Sequence, residues 1–588
     1  MRRLALILAT LGASVAGAPA AQAAAPIMPL SDVHAGMHCT ALSVIHGTTI
    51  SSFDADVIDV VDGLGLDGPA ILVRVSGPAV DGTGIGPGFS GSPIYCDDSH
   101  GVSRNIGAIA FGLGDYGNKL ALATPIQAVI GEPVTPPARM RTLSRRESAS
   151  IRRLATPLTV SGLTPLLAQR LTAAARAQGV PVYASPAGPL GSFPRQQLRP
   201  GASVAAGLAS GDLGFSAIGT VTYTNGNAVW AFGHPLDAAG RRALLMQDAY
   251  VYTVVNNPNG DLGTTYKLAA AGHDLGTVTG DSLNAITGLV GALPPITELT
   301  IRAADLDTGK VEHTRAKVPD EIALGPPSGI SPLGIVASTA LADAGVRVLQ
   351  SDPLRETATM CVRVAVDGHA RVLRFCNRYV GDGSFFGNGG LLAASDLDSA
   401  TALLDSVQFP GFRVRSLSAS LDLRRGLAQT FMTGASARRK VAAGHRLGVT
   451  VRTLMRGERR RFTFKLNVPR HLRPGRYRLT LTGPGPDGTG EGGGGGGLAA
   501  LLAALLGGPE GAGGGPPGPS ELGPASFADL ASQFARMGKY DGLAATFTRA
   551  RRQHPPHRRL PALVERAYRN SALRIGGRVT IRLRVTRP

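Results

Sequence analysis

The chain of 588 residues contains few aromatic residues and few lysines. Phe, Trp and Tyr together make up 5% of it, with a single Trp. Proteins that bind single-stranded nucleic acids stack the bases on aromatic side chains set among basic ones, so this composition argues against a nucleic-acid partner. Only seven of the 60 basic residues are lysines. The excess of Arg, together with abundant Ala, Gly and Pro, is typical of nucleotide bias rather than of a function.

Long hydrophobic runs are missing after the N-terminal stretch. A membrane-spanning helix needs about 20 apolar residues, whereas the Leu/Ala run at 498–506 has nine. At the N terminus, two arginines precede an apolar stretch that ends near Val15, and small residues follow to Ala23. This order is typical of a secretory signal peptide. The sequence therefore predicts a signal peptide over 1–23, a secreted mature chain that begins near Ala24, and no transmembrane segment in the mature chain.

Cysteine is scarce, with four residues whose spacing to histidine fits no zinc site. Cysteines of an exported chain usually pair. Cys39 lies on the first predicted strand, and Cys96 follows a serine-containing loop. Cys361 and Cys376 flank a segment with a hairpin turn at its centre. We predict the disulfides Cys39–Cys96 and Cys361–Cys376, although other pairings remain formally open.

Positive charge is concentrated in the C-terminal third of the chain. Residues 401–588 hold 32 Lys and Arg against 10 Asp and Glu, whereas residues 1–400 hold 28 against 31. Arginines at alternate positions of predicted strands, as at 582 and 584, are typical of a solvated sheet face. The functional alternative is attraction to an anionic polymer or membrane surface outside the cell. The sequence thus favours weak association of the C-terminal region with the cell envelope.

The most informative segment is the octet that runs from Gly86 to Pro93, with Ser90 at its centre. Glycine accepts the left-handed backbone of a tight turn, so Gly88 and Gly91 allow the Ser90 hydroxyl to project while neighbouring N–H groups converge. That is the local geometry of a serine nucleophile with an oxyanion hole. The alternative interpretation is a surface loop rich in Gly, Ser and Pro.

A second motif, from Ala231 to Pro235, carries His234. It follows an alternating apolar run that is interrupted by Asn225-Gly226, a strong hairpin signal. His234 is therefore predicted to lie just past the end of a strand, where a general base can be held rigidly.

With both motifs in view, the chain resembles the SpoIVB-type serine peptidase domain over roughly residues 30 to 345. The resemblance implies a two-barrel, chymotrypsin-like fold and endopeptidase activity on a protein or peptide substrate. In the sporulation protein that gives the family its name, the histidine half comes first, whereas here the serine half does; a triad is defined by geometry and not by chain order. Further matching segments are 37–48, 53–57, 71–78 and 211–212.

The resemblance implies roles for particular residues. His234 takes the proton of Ser90, Ser90 attacks a peptide carbonyl, and the N–H groups of Gly88 and Ser90 hold the oxyanion. No metal or organic cofactor is needed for this chemistry.

The third member of the triad is not secured by a motif. Where the family carries its aspartate before the serine, in a Thr-Asp-Pro context, this chain has Gly77. Asp81 and Asp281 are the alternatives, and an unassisted Ser–His pair is a third. Loss of the acid favours a second function, a catalytically inactive secreted binding or cell-envelope scaffold protein, while retention of both complete motifs favours the enzyme.

The predicted fold is mainly β, because short alternating runs are separated by Gly and Asp turns. Two chymotrypsin-like barrel halves are followed by an immunoglobulin-like β-sandwich region with a short helix over 397–404. The predicted parts after the signal peptide are a serine half at 24–135, a connector at 136–200, a histidine half at 201–345, a sandwich-like domain at 346–482, a flexible Gly/Pro-rich insertion at 483–525, and a helix with a terminal strand that returns to the β-domain at 526–588.

Overall fold

The structure is a computed structural model, and its described part forms 29 strands and five α-helices. The predicted mainly-β class is confirmed. The predicted signal peptide and nearly all of the predicted insertion at 483–525 lie outside the described residues. The described residues are 25–62, 68–113, 118–144, 147, 151–154, 158–177, 182–185, 193–256, 265–324, 331–350, 355–381, 389–483, 523–537, 542–550, 562–570 and 572–587.

The first six strands close into an antiparallel barrel. Their order around the barrel is β1-β2-β3-β6-β5-β4, and pairing of β4 with β1 closes it. Alternate residues point inward, as Val73 and Val75 do, and bury an apolar interior. The elements are β1 (Cys39–His46), β2 (Thr49–Val61), β3 (Ala70–Ser76), β4 (Pro93–Asp97), β5 (Ser103–Leu113), β6 (Leu120–Pro125), the helix α1 (Ile126–Ile130), and β7 (Ile151–Arg153), which pairs with β5; a 3-10 turn (Leu30–Asp32) precedes them.

A second six-stranded antiparallel barrel follows, and its strands close in the same relative order. The predicted hairpin is confirmed, with its turn one residue later than Asn225-Gly226: Asn225 pairs with Ala228, residues 226 and 227 join the two strands, and Gly226 has a φ of +56°. The connecting elements are β8 (Leu158–Ser161), α2 (Pro165–Ala177) and β9 (Val182–Ser185); the barrel strands are β10 (Ser203–Gly211), β11 (Gly214–Asn225), β12 (Ala228–Ala231), β13 (Gly240–Val255), β14 (Tyr266–Asp281) and β15 (Ile286–Val290).

A mixed sheet continues from the edge of the second barrel, where its strand β17 pairs with β10. The sheet order is β19-β18-β20-β16-β17, with β16 and β20 parallel. A parallel pair needs a crossover connection, and two helices of this region provide it. The elements are β16 (Ile296–Asp305), β17 (Val311–Pro319), a 3-10 turn (Ile322–Leu324), α3 (Pro332–Leu349), β18 (Glu356–Val366), β19 (Leu373–Gly381), α4 (Gly389–Asp405) and β20 (Val414–Arg425).

The mixed sheet therefore continues across the predicted domain boundary at residue 345, from β16 to β20. The strands predicted around Cys361 and around Phe412 as parts of a sandwich form β18 to β20, and they belong to the sheet that extends the second barrel. The alternation of side chains identifies a strand and its buried face but not its neighbours. The short helix predicted at 397–404 is part of the longer α4.

Helix α3 is long and apolar enough to cross a membrane by length and composition alone. Inside the protein, 89% of this helix is buried, and it packs against β16, β17 and α4. Ser331 caps its N terminus by accepting a hydrogen bond from the Gly334 N–H. In this fold α3 is therefore a core helix that packs on the mixed sheet.

The last strands form two sheets that share one apolar core. The sheet orders are β24-β23-β21-β28 and β22-β29-β25-β26-β27. The predicted return of the terminal strand is confirmed, since β29 pairs with β25. The elements are β21 (Gln429–Ala437), β22 (Lys440–Ala442), β23 (Arg446–Met455), β24 (Glu458–Asn467), β25 (Gly475–Thr482), α5 (Phe527–Arg536), β26 (Gly542–Arg549), β27 (Ala562–Arg569), β28 (Arg574–Gly576) and β29 (Arg578–Thr586).

Helix α5 begins as predicted, with the Ser526 hydroxyl accepting from the Asp529 N–H. It packs on β19 of the mixed sheet and on α4, where the Phe534 ring contacts that of Phe375 with ring centroids 5.3 Å apart. Between β25 and β26 the chain therefore leaves the two-sheet region, contributes α5 to the mixed-sheet region, and then returns.

Both predicted disulfides are confirmed, and each joins directly opposite residues of paired strands. Cys39–Cys96 links β1 to β4, and Cys361–Cys376 links β18 to β19. The cysteines of the first pair are 57 residues apart in sequence and those of the second pair 15 apart.

Removing the first disulfide is expected to destabilise the protein more than removing the second. In the chain-entropy model, Cys39→Ala with Cys96→Ala costs about 4 kcal/mol and Cys361→Ala with Cys376→Ala about 3 kcal/mol, because the longer loop gains more entropy when opened. Denaturant unfolding followed by circular dichroism measures both losses. Equal or negligible losses would contradict the expectation.

Candidate functional site

The Ser90 turn connects β3 to β4 of the first barrel and has the backbone that its glycines predict. Gly88 and Gly91 have φ values of +95° and +90°. The Phe89 N–H donates to the Gly86 carbonyl and the Gly91 N–H donates to the Ile109 carbonyl of β5, both within 2.9 Å. These bonds hold the turn tightly against its own barrel.

The same turn is also bonded to the second barrel. The Thr220 N–H of β11 donates to the Ser90 carbonyl at 2.8 Å, and the Thr222 hydroxyl donates to the Gly91 carbonyl at 2.8 Å. The Lys267 N–H of β14 donates to the Pro87 carbonyl at 2.9 Å. The Ser90 side chain is fully buried at this interface, and its Oγ has no hydrogen-bond partner among the described residues.

The His234 loop connects β12 to β13, the corresponding connection of the second barrel, and reaches into the first. Phe232 and Gly233 both have left-handed backbones, with φ of +74° and +70°. The Thr124 hydroxyl of β6 donates to the Gly233 carbonyl at 2.6 Å. Phe232 N–H donates to the Thr220 carbonyl, so Thr220 touches both motifs. Each barrel therefore inserts its motif loop against the other, and the two loops are neighbours.

The His234 ring is almost completely buried and faces two backbone carbonyls. Nδ1 lies 2.7 Å from the Pro235 oxygen and Nε2 lies 2.9 Å from the Leu154 oxygen. A carbonyl oxygen only accepts, and a neutral imidazole has one N–H to donate. A neutral ring therefore donates to one of these carbonyls at a time, and neither contact is with the Ser90 hydroxyl.

The two candidate acids hold different positions. Asp81 lies at the surface in an ion pair with Lys119 at 2.9 Å, and this hydrogen bond lowers the pKa of the carboxyl. Asp281, at the end of β14, is buried and accepts the N–H groups of residues 236, 237 and 239. Burial raises the pKa of Asp281 to about 6. Asp281 therefore fixes the backbone of the loop that carries His234.

A second histidine, His273 on β14, has a carboxylate partner. Its Nδ1 lies 3.0 Å from Asp248, whose buried carboxylate also accepts the His273 N–H and the Gln196 N–H. The Phe193 ring packs edge-on against the imidazole at 5.0 Å. In the described part of the chain no serine hydroxyl bonds to this ring, so the pair ties residues 193–196 to the second barrel.

Beside the Ser90 turn lies a polar cluster whose central lysine belongs to neither sequence motif. Lys267 is fully buried, and its Nζ donates to the Ser43 Oγ at 2.7 Å and to the Thr220 Oγ1 at 3.4 Å. The Ser92 hydroxyl lies 3.0 Å from that of Ser43. The ammonium group also lies 4.5 Å from the centre of the Phe89 ring. The motif thus packs directly on a buried amine and three buried hydroxyls.

No carboxylate pairs with Lys267 among the described residues. Burial therefore acts unopposed and lowers the pKa of its amine to about 7. An amine with a pKa near neutrality can accept and return a proton, which is the requirement for a lysine base beside a serine.

A sequence signal for Lys267 existed. Lysine is rare in this chain, and Lys267 has the same phase as the buried Ala269 along β14, where an apolar residue is expected. Its hydroxyl partner Ser43 is 224 residues away. That separation is why the cluster becomes visible only in the folded chain.

No group of three or more His, Cys, Asp or Glu side chains within the described ranges is arranged to hold a metal ion. Comparisons with protein-family models, with curated proteins and with solved structures gave no match.

Proposed function

We propose that the chain is a secreted serine endopeptidase of the SpoIVB type, with Ser90 as the nucleophile. The observation that carries the proposal is the Ser90 hydroxyl, which is buried without a hydrogen-bond partner in a turn flanked by two left-handed glycines. An unsatisfied buried polar group costs about 1–3 kcal/mol, and alanine would avoid that cost. In the part of the chain that the structure describes, the other buried Ser and Thr hydroxyls without partners, those of Ser203, Ser338 and Thr339, lie on a regular strand or helix.

The fold supports the same proposal. Two closed barrels with one strand order, joined through reciprocal motif loops, are compatible with the two-barrel, chymotrypsin-like architecture that the resemblance implies. The chain order of the motifs is no obstacle, because unrelated folds realise the same triad in different orders. The two disulfides are consistent with an extracellular location.

Two groups compete for the role of the base. The resemblance assigns it to His234, whose ring would have to leave one carbonyl before it could accept the Ser90 proton; catalytic hydrogen bonds often form only when substrate is bound. Lys267 is the alternative, because its amine already bonds to a serine hydroxyl and lies against the Ser90 turn. Ser–Lys pairs are an established variant of the triad.

A fluorophosphonate probe tests the nucleophile and the base together. We expect a single adduct on the folded mature protein, mapped to Ser90 by mass spectrometry and absent from Ser90→Ala. The matched control is Ser99→Ala, an exposed serine of the same barrel, which should label like the wild type. Removal of the base should slow labelling by about a thousandfold. A comparison of His234→Gln with Lys267→Met therefore identifies which of the two residues is the base.

Labelling that persists in Ser90→Ala would refute Ser90 as the nucleophile. An adduct on Ser43 in that variant would transfer the role to the residue bonded to Lys267. No adduct on a folded, disulfide-bonded sample would refute the enzyme.

The second candidate function is a catalytically inactive secreted binding or cell-envelope scaffold. A specific observation favours it: Ser90 and His234 are 0% and 1% exposed, and the backbones of both motifs are bonded across the barrel interface. In this function the motifs hold the barrels together. Absence of probe labelling, with full stability, is the result it requires.

A further inference from the structure

The strongest unexplained feature outside the barrels is the outer face of the sheet β22-β29-β25-β26. Leu479, Leu481 and Leu583 point inward and form part of the shared core. The residues between them point outward, and the cations among these are all exposed. We call this surface the arginine face; its cations are Lys440, Arg476, Arg478, Arg578, Arg582 and Arg584.

The register of the strands places these cations directly opposite one another. Arg476 pairs with Arg584 and Arg478 with Arg582 across β25 and β29, and Lys440 lies opposite Arg584 across β22. Neighbouring strands are about 4.8 Å apart, and outward residues along one strand about 6.8 Å apart. The four arginines therefore form a compact two-by-two array, extended by the lysine at one corner.

Among the described residues, no carboxylate neutralises this array. Strands β22, β25, β26 and β29 contain no Asp or Glu. In the part of the chain that the structure describes, none of the six cations forms an ion pair, whereas Arg302 and Arg460 on other strands do. Like charges placed directly opposite destabilise a sheet, so the array imposes a cost that an anionic ligand would remove.

We propose that the arginine face binds an extended polymer that carries phosphate groups along its backbone. Guanidinium groups match phosphate oxygens in bidentate geometry and stay charged at every physiological pH. A regular grid of such groups suits a chain of repeated anions better than a single small ion. The exposed Thr548 and Thr580 continue the face, and their hydroxyls supply further donors.

The same surface disfavours single-stranded nucleic acid. Sequence-tolerant binding of such strands relies on aromatic side chains that stack on the bases. The outward positions of β25 and β29 carry only Arg and Thr. The chemistry of the face is therefore that of a phosphate binder without base recognition.

Binding of fluorescently labelled linear polyphosphate to the full mature chain tests the proposal. We expect the double variant Arg478→Gln/Arg582→Gln to bind about tenfold more weakly or worse near physiological salt, because two charge-assisted contacts are lost. The slope of log affinity against log salt should fall by about two. The matched control is Arg452→Gln/Arg461→Gln, an exposed cross-strand pair on the opposite sheet that removes the same charge.

Equal losses in the two double variants would overturn the proposal, because attraction would then follow net charge alone. Tighter binding of single-stranded DNA than of polyphosphate of similar charge would overturn it in favour of a nucleic-acid site. Retained binding by the control and weakened binding by the array variant, with unchanged circular dichroism in both, would support it. The test is independent of Ser90 and of any peptidase activity.

Discussion

Gly91→Ala is expected to destabilise the barrel interface by about 4 kcal/mol. A Cβ at this position would overlap the Thr220 carbonyl oxygen and lie 2.5 Å from the Phe232 nitrogen. Both obstacles are backbone atoms of the second barrel, which cannot move aside independently. Overpacking costs about 1–3 kcal/mol, and a left-handed backbone adds about 1–2 kcal/mol for a residue with a Cβ.

Gly82→Ala is the matched control, in the same β3–β4 connection. A Cβ there would meet nothing within 4 Å, so stability should change little. The single tryptophan, Trp230 on β12, packs against a cluster that both barrels share, and its fluorescence reports on this interface during denaturant unfolding. Similar midpoints for the two variants would show that the Ser90 turn is not bonded between the barrels.

The free energy of unfolding of the wild type is expected to rise as the pH increases above 7, and Lys267→Met is expected to abolish this rise. The pKa of this lysine is about 7 in the folded protein, against 10.5 ordinarily. Between these values the unfolded chain binds the additional proton, so wild-type stability should increase by about 2 kcal/mol from pH 7 to about pH 9. The destabilisation caused by the buried, protonated Lys267 is fully present below pH 7. Methionine has no proton to lose, and the variant should be flat over this window.

The control for this measurement is Lys317→Met, an exposed lysine on β17. It should keep the pH dependence of the wild type. The full penalty of the buried amine at neutral pH is about 4 kcal/mol, and Lys267→Met should therefore be the more stable protein at pH 7. A profile parallel to that of the wild type would show that the amine is hydrated and titrates normally.

The second experiment also bears on function. A residue that lowers stability by several kcal/mol without a compensating ion pair breaks a rule that natural sequences break mainly at functional sites. If Lys267→Met is more stable but no longer reacts with a fluorophosphonate, the amine serves catalysis. If it is more stable and reacts like the wild type, the cluster is structural and His234 remains the candidate base.

Local sequence determined much of this protein. Alternating runs identified the strands, Asn225-Gly226 identified a hairpin, and Ser526 identified the start of α5. The Cys361–Cys376 disulfide was predictable because a hairpin turn lies midway between the two cysteines, and Cys39–Cys96 then joined the two cysteines that remained, although the sequence left other pairings open. The concentration of arginine in the last third also followed from counting. Each of these features depends on neighbours in the chain or on composition.

Only the tertiary structure decided which strands pair and what surrounds the motifs. Alternation shows that β18 and β20 each have a buried face, but their place beside β16 depends on a long-range parallel pairing. The Ser90 and His234 loops each insert against the opposite barrel, and Lys267 meets Ser43 across 224 residues. Likewise, the arginines of β25 and β29 are about 100 residues apart and become opposed only through strand register. Contacts of this kind depend on the packing of the whole chain, because short-range patterns encode a face and not a partner.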